Sequence, residues 1–262
     1  MNLGGNSQTI RQFLWLPPWY PIIWEELVYW RSKFWLYLAT YMLSPLIFLL
    51  SFGFGVGQRV RLIMPSGVSY LEFLVPGVVA LALFNNGVTS VIVRMFYHRL
   101  HFYSFEAYRL APVSTLSLWL GYALSGMLRG LLAGLVVLGM VIFLVPIRLN
   151  WLFIGSMALT SFCFGSFGVL IGLLLRSFDD HALATEFFLV PMTFLSGTLI
   201  PVERLPGLLQ PIVWLFPLTP VAQLLRTTLA GTGFPGELAA MVGGWTLLFF
   251  LLGWFRLSRL DT

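Results

Sequence analysis

Apolar residues in this chain come in long unbroken runs, with the polar residues gathered in the gaps between them. A run needs about 20 residues to cross the hydrocarbon of a bilayer as a helix. Six runs qualify, near Phe34–Val56, Phe73–Val93, Leu116–Val145, Trp151–Leu175, Ala182–Ile200 and Leu238–Phe255. Continuous runs argue against a transmembrane β-barrel, whose strands alternate apolar and polar residues. The pattern predicts an all-α integral membrane fold with six transmembrane helices.

The stretch from Phe194 to Gly231 departs from this pattern. It is apolar, yet it carries Pro201, Pro206, Pro211, Pro217 and Pro220. Each interior proline removes a backbone donor and clashes with the preceding turn. A lipid-exposed span must satisfy every backbone group internally. Short helical pieces that dip into the membrane and return on the same side are expected, giving a re-entrant helical hairpin over 201–230 between spans five and six.

Charge placement agrees. If the hairpin does not cross, both termini share a side with Arg11, Arg31, Lys33, Arg94, Arg99, Arg109, Arg176, Arg256 and Arg259. The other side then carries Arg59, Arg61, Arg148, Arg204 and Arg226, so nine basic residues face five. A full crossing inverts the last span and leaves eight against six. The positive-inside rule favours the first arrangement, with cytoplasmic termini and an outward-facing hairpin.

Composition adds little that the pattern does not already say. Of 262 residues, 58% are hydrophobic and only 10% charged, where a soluble domain has roughly a quarter charged. The first apolar run, near Phe13–Trp19, is short, is broken by Pro17-Pro18 and lacks a small-residue cleavage site, so it does not read as a cleavable signal. The net charge of +5 sits mostly at span ends, which reads as membrane orientation and not as nucleic-acid binding. The single cysteine, Cys163, allows no internal disulfide and reads as a packing residue.

Two regions follow. Residues 1–33 form a cytoplasmic N-terminus containing an amphipathic interface helix, Trp19–Lys33. There Ile23, Leu27 and Trp30 share a face while Glu25 and Glu26 point elsewhere, and the abundant Trp and Tyr suit the membrane interface. Residues 34–262 form the six-span domain, with cytoplasmic segments at 94–112 and 176–181.

Candidate chemistry is sparse. A P-loop needs a glycine-rich turn ending in Lys-Ser/Thr, and the only lysine, Lys33, lies in WRSKFW. The chain is therefore not itself an ATPase, and ATP-driven transport would need a separate motor chain. Arg129 lies midway along the third span beside the small-residue stripe Gly126, Gly130 and Gly134, so it faces protein. It reads either as a contact in a transport path or as a buried residue paired with a carbonyl or with Glu186, which lies just inside the fifth span. His98 and His101 are spaced to meet on a helix, but no further metal ligands are evident nearby. Asp179 and Asp180 read as a helix cap before span five. Ser196-Gly197 lacks the preceding glycine of an intramembrane serine nucleophile motif, and Glu25-Glu26 matches a metalloprotease pair only superficially.

Ser196-Gly197 followed by Pro201, Leu205-Pro206, Gln210, Pro217-Leu218-Thr219 and Arg226 resembles a run found in the permease subunits of ABC-2 type exporters. Phe105-Glu106-Ala107-Tyr108-Arg109-Leu110-Ala111-Pro112-Val113-Ser114 is similar to the family's loop before its third span, and Phe73-Leu74-Val75-Pro76-Gly77 to the opening of its second. The likeness covers nearly the whole chain and is closest in flavour to nodulation lipo-oligosaccharide and daunorubicin-type export permeases.

The resemblance implies six transmembrane helices, an interface helix, a cytoplasmic coupling helix and the outward-facing hairpin. It implies a second permease copy, most simply a homodimer, and two ABC ATPase subunits, which bind the ATP and magnesium; this chain binds no cofactor. The site would be the bacterial inner membrane, and the mechanism alternating access that exports an amphipathic or lipophilic substrate. On this likeness the ATPase docks on His101, Phe102, Tyr103, Phe105 and Glu106, with Trp24 and Glu25 of the interface helix. The substrate path is expected along spans one, two and five at Tyr41, Phe48, Asn85, Asn86, Phe187, Phe188 and Met192. A secondary transporter working without ATP, and a membrane enzyme or assembly scaffold, are the competing readings.

Overall fold

A computed structural model describes residues 17–56, 69–101, 113–143, 149–231 and 233–259. Among the described residues the fold is helical throughout, with no strand. Helix α1, Tyr20–Phe48, breaks at Lys33, where φ and ψ leave the helical region, and continues as a π-wound segment over Leu49–Val56. Helix α2, Tyr70–Phe96, ends in a π turn, Tyr97–His101. Helices α3, Thr115–Val141, and α4, Trp151–Leu174, follow.

The starts of these helices are written locally. Ser69 and Glu72 form a capping box at α2, each side chain accepting from the other's backbone N–H at 3.3 and 3.0 Å. Ser114 caps α3 by accepting from the Ser117 N–H at 3.2 Å. Asn150 caps α4 by accepting from the Phe153 N–H at 2.7 Å, and its amide donates to the Thr228 carbonyl at 2.7 Å.

Helices α2, α3 and α4 pack together as the centre of the bundle; α1 lies on α3, and a later helix lies on α4. Glycines let the central three approach closely. A Cβ on Gly126 of α3 would sit 2.9 Å from both the Gly87 carbonyl of α2 and the Gly165 Cα of α4. The small-residue stripe on α3 is therefore the seam along which the backbones meet, as packing without a hydrophobic driving force requires. Phe84 and Phe164 meet edge-to-face beside it, centroids 5.1 Å apart.

Among the described residues five helical segments are long and apolar enough to cross a membrane: Tyr20–Gly53, Tyr70–Leu100, Thr115–Val141, Trp151–Leu174 and Gly236–Ser258. The run expected as a further crossing, Ala182–Ile200, is not one long helix. Its segment, α5, begins as Phe178–Ala184, loosens into a π turn over Thr185–Leu189 and resumes as Val190–Leu195. It stops where the chain bends at Ser196 and Gly197 takes a left-handed φ of 74°.

The proline-rich stretch is broken into short pieces, as its sequence requires. A 3-10 turn spans Val202–Arg204, α6 spans Gln210–Val213 and α7 spans Leu218–Ala230, ending at Gly231 in the left-handed conformation. Prolines stand at or just inside the starts of α6 and α7, where a missing N–H costs least. Helix α7 packs against α2, α4 and the last helix, α8, Gly236–Ser258.

Candidate transport site

The part of α1 before the Lys33 break is held to the bundle by one buried carboxylate. The sequence pattern puts Ile23, Leu27 and Trp30 on one face of an interface helix and Glu25 and Glu26 elsewhere. The structure corrects this: Ile22, Ile23 and Glu26 are buried and Leu27 is exposed. Glu26 is 1% exposed and accepts from two arginines, the Arg94 guanidinium of α2 and the Arg129 Nε of α3. Arg94 also donates to the Ile22 carbonyl at 3.2 Å. A buried carboxylate with no partner would be prohibitively costly, so helical amphipathicity yields to charge pairing across the fold.

Arg129 faces protein, as the glycine stripe requires, but its partner is Glu26 and not Glu186. Glu186 is exposed on the π turn of α5. Beside the arginines, His98 closes the end of the bundle. Its Nδ1 is 2.7 Å from the Tyr122 hydroxyl and its Nε2 3.4 Å from Glu25. Arg99 donates to the Gly172 carbonyl at 2.7 Å, fastening the π turn that ends α2 to the end of α4.

This ionic cluster forms the floor of a cleft of about 960 Å³ between α1 and α2. Tyr29, Lys33, Tyr37, Thr40 and Tyr41 line it from α1; Asn85, Asn86, Thr89 and Ser90 line it from α2. The polar lining is unusual for a chain with a mean hydropathy of +0.88. Arg129 stands over the Tyr37 ring, 5.2 Å from its centroid, close enough for a cation–π contact. Asn86 spends its amide on the Ala82 carbonyl at 2.9 Å. The hydroxyl of Tyr41, a residue only 4% exposed, has no hydrogen-bond partner among the described residues.

The expected path residues thus separate into groups. Tyr41, Asn85 and Asn86 line the cleft together. Phe48 lies farther along α1, stacked on Phe52 at 6.0 Å. Phe187 and Phe188 lie on the outer side of α5, 70% and 59% exposed, whereas Met192 is buried in the main core. Of the expected docking residues, Trp24 is exposed and stacks on Tyr20, and Glu25 borders both the cleft and a smaller groove beside Trp24. His101 closes the π turn after α2. Phe102, Tyr103, Phe105 and Glu106 lie outside the described residues.

A profile of the ABC-2 type transporter family matches residues 22–230, which takes in α1 from Ile22 onward, the cleft and nearly all of the proline-rich stretch. The chain belongs to the ABC-2 type transporter family. This permease is similar to the inner membrane transport permease YadH of Escherichia coli (strain K12), 29% identical over 199 residues, 75% of this chain and 77% of that protein. It is similar also to Nodulation protein J of Sinorhizobium fredii (strain NBRC 101917 / NGR234), 27% identical over 221 residues, 78% of this chain and 80% of that one. Nodulation protein J of Rhizobium meliloti (strain 1021) is 26% identical over 219 residues, 80% and 82% of the two chains.

In this ABC-2 permease two of the segments that carry the family likeness meet in space. The Arg226 guanidinium donates to the carbonyls of Gly197 and Thr198, the latter at 3.0 Å, and to the Phe73 carbonyl at 3.4 Å. It also lies 3.7 Å from the centroid of the Phe73 ring. Tyr70 donates to the Leu199 carbonyl at 3.1 Å. A Cβ on Gly77 would strike the Thr198 carbonyl, so only glycine lets α2 accept the bend after α5. Residues 197–199 and 226–228 therefore lie at one end of the bundle, with the starts of α2 and α4.

Proposed function

We propose that this permease is the membrane-embedded subunit of an ATP-driven exporter, in which two copies move an amphipathic or lipophilic substrate out of the cytoplasm or inner leaflet. Lipid-linked glycans, lipo-oligosaccharides and drug-like molecules are the substrate classes in view. The cleft carries this reading: it is a large polar and aromatic chamber at the end of the bundle where the interface helix docks. Glu26 ties that helix to Arg94, and α2 then runs through its π turn into the 102–112 segment, the proposed seat of the ATPase. Movement imposed there reaches the wall of the cleft through a single ion cluster.

In this arrangement both termini are cytoplasmic, α5 supplies the sixth crossing, and the 201–230 hairpin is re-entrant from outside. The return of residues 226–228 to the end of the bundle that holds 197–199 supports the hairpin. The exposed aromatic side of α5, with Phe187 and Phe188, faces the second copy across the path. Two ABC ATPase subunits complete the machine.

The test is to purify the permease from its native membrane in mild detergent and identify by mass spectrometry what accompanies it. A stoichiometric P-loop ATPase is expected, two per permease dimer. Replacing Phe102 and Phe105 together with Asp releases it and leaves the permease folded. No ATPase under several gentle conditions overturns the reading, and its retention by the double variant overturns the docking assignment.

A further inference from the structure

The ion pairs of the bundle leave Glu186 out, and it stands at a depth where an unpaired charge is costly. Arg94 and Arg129 are both taken by Glu26, and His98 lies beside Glu25. Glu186, on the π turn of α5, is exposed and meets no cation among the described residues. Around it on α5, Leu183, Phe187 and Phe188 are 56%, 70% and 59% exposed. Apolar side chains of this kind face lipid or a partner equally well. A carboxylate among them does not, because an ionised group inside a membrane turns toward protein or water and takes a countercharge.

Its depth follows from the fastened ends of the bundle. Arg99 of α2 donates to the carbonyls of Gly172 and Leu175, which puts that end of α2 level with the start of α5. At the other end the Thr198 backbone, just past α5, lies against Gly77 of α2. Glu186 stands ten residues from Arg176 and ten from Ser196, about 15 Å from either level at the helical rise, in the middle of the span. Lys33 lines the cleft with Asn86, Thr89 and Ser90. Ser90 comes nine residues before Arg99, or about 13 Å, so Lys33 and Glu186 share a depth. Lys33 is exposed where α1 breaks and has no carboxylate paired to it among the described residues. Glu25 and Glu26 balance Arg94 and Arg129, which leaves Lys33 as the surplus permanent cation of the cleft. Other cations stand elsewhere: Arg31 precedes the break, Arg176 and Arg256 lie at helix ends, and Arg226 is spent on carbonyls. Within one copy α1 packs mainly on α3, and Lys33 and Glu186 form no pair.

We propose that the cleft is completed by a second copy of this chain, whose α5 lies across its open side so that the partner subunit's Glu186 pairs with Lys33. The carboxylate neutralises the surplus charge of the cleft, and the aromatic side chains beside it close the chamber with an apolar wall. By two-fold symmetry the contact forms twice, and each chamber is built from two chains. A desolvated pair of this kind fixes the register of the two subunits more than it adds raw affinity. The proposal rests on the two-copy reading above and deepens it by naming the contact. Its test uses the permease alone, so it is separate from ATPase co-purification.

Two full-length copies with different tags are co-expressed, one carrying Lys33→Cys and the other Glu186→Cys, both with Cys163→Ala. Native membranes are treated with a short rigid bismaleimide, and the mixed-tag product is compared with the two same-tag products. The mixed product is expected to dominate. Same-tag products from Glu186→Cys that match it would show α5 facing α5 and overturn the pairing. In detergent, dimer dissociation is followed by native mass spectrometry on dilution. Glu186→Lys and Lys33→Glu should each raise the dissociation constant on the order of a hundredfold, since two pairs per dimer become like-charged. The swap Lys33→Glu/Glu186→Lys should return it to within about threefold of wild type, the residue of imperfect geometry in a coupled pair. Thermal unfolding of the separated monomers should be unchanged, because both residues are exposed in one copy. A stable wild-type dimer indifferent to both single charge reversals, or a swap no better than either, overturns this pairing and leaves the two-copy reading standing. A wild type that is monomeric in detergent and forms no cross-link in membranes overturns both.

Discussion

Glu26→Gln tests the ion cluster most directly. The substitution keeps the shape of the side chain and one accepting oxygen but removes the charge that two guanidinia share. Glu26 is 1% exposed, and the side chains of Arg94 and Arg129 are 8% and 17% exposed, so water cannot replace it. Removing one partner of a buried pair costs about 3–5 kcal/mol, because the remaining charge stays buried and uncompensated. Here two like charges remain side by side, which puts the loss at the upper part of that range. At about 1.4 kcal/mol per tenfold change, the ratio of folded to unfolded protein falls by a factor on the order of a thousand.

The geometry also predicts an ordering. Arg129→Gln leaves Glu26 paired with Arg94, a neutral couple, and should cost only about 1–2 kcal/mol, near that of a charged hydrogen bond. The double variant Glu26→Gln/Arg129→Gln should be more stable than Glu26→Gln alone, since it relieves the repulsion. Equilibrium unfolding in mixed micelles of a mild detergent and dodecyl sulfate, followed by tryptophan fluorescence, measures all three. Additive losses, or a Glu26→Gln cost no larger than that of Arg129→Gln, would refute the shared-carboxylate account.

Arg226→Lys should open the bend after α5 despite keeping the charge, since an ammonium cannot fork across the carbonyls of Phe73, Gly197 and Thr198. We expect a loss of about 2–3 kcal/mol and faster proteolysis between 197 and 210, and wild-type protease resistance would contradict the clamp. Cysteine placed at Glu203 or Gly207 should react with a membrane-impermeant maleimide added outside intact cells. Cys163, fully buried, gives no background, and exclusively cytoplasmic labelling would overturn the topology.

The sequence made the bundle legible because its strongest signals are local. Runs of apolar residues mark α1 to α4 and α8, serine and asparagine caps mark the starts of α2, α3 and α4, and prolines break up the 201–230 stretch. The break at Lys33 falls where the interface helix was expected to end. Glu26 was misread because facial amphipathicity treats a carboxylate as outward-facing, while its partners lie 68 and 103 residues away. No local pattern carries that pairing. For the same reason Arg94 was counted only as an orientation charge, and Arg226, though part of the family-like run, was given no contact. The winding of α5 was hidden too, since the apolar length of a run says nothing about a π turn within it.

The two arginine contacts bear on where the subunit can move. Helix α2 is fixed at one end by Glu26 through Arg94 and at the other by Arg226 at Phe73, and glycine seams lock its middle to α3 and α4. Segment α5 has a π turn at its centre and a large share of exposed side chains, among them Leu183, Phe187, Phe188 and Phe194. Opening free energy follows burial and local contact density. Amide hydrogen exchange on the isolated permease in detergent should therefore show strong protection through α2 and α4, with α5 and the break at Lys33 exchanging orders of magnitude faster. Adding the ATPase and a second copy should protect α5 most, because it has the most unpartnered surface to cover. Protection of α5 equal to that of α2 in the isolated chain would show that the exposed side of α5 does not mark the mobile part of the subunit.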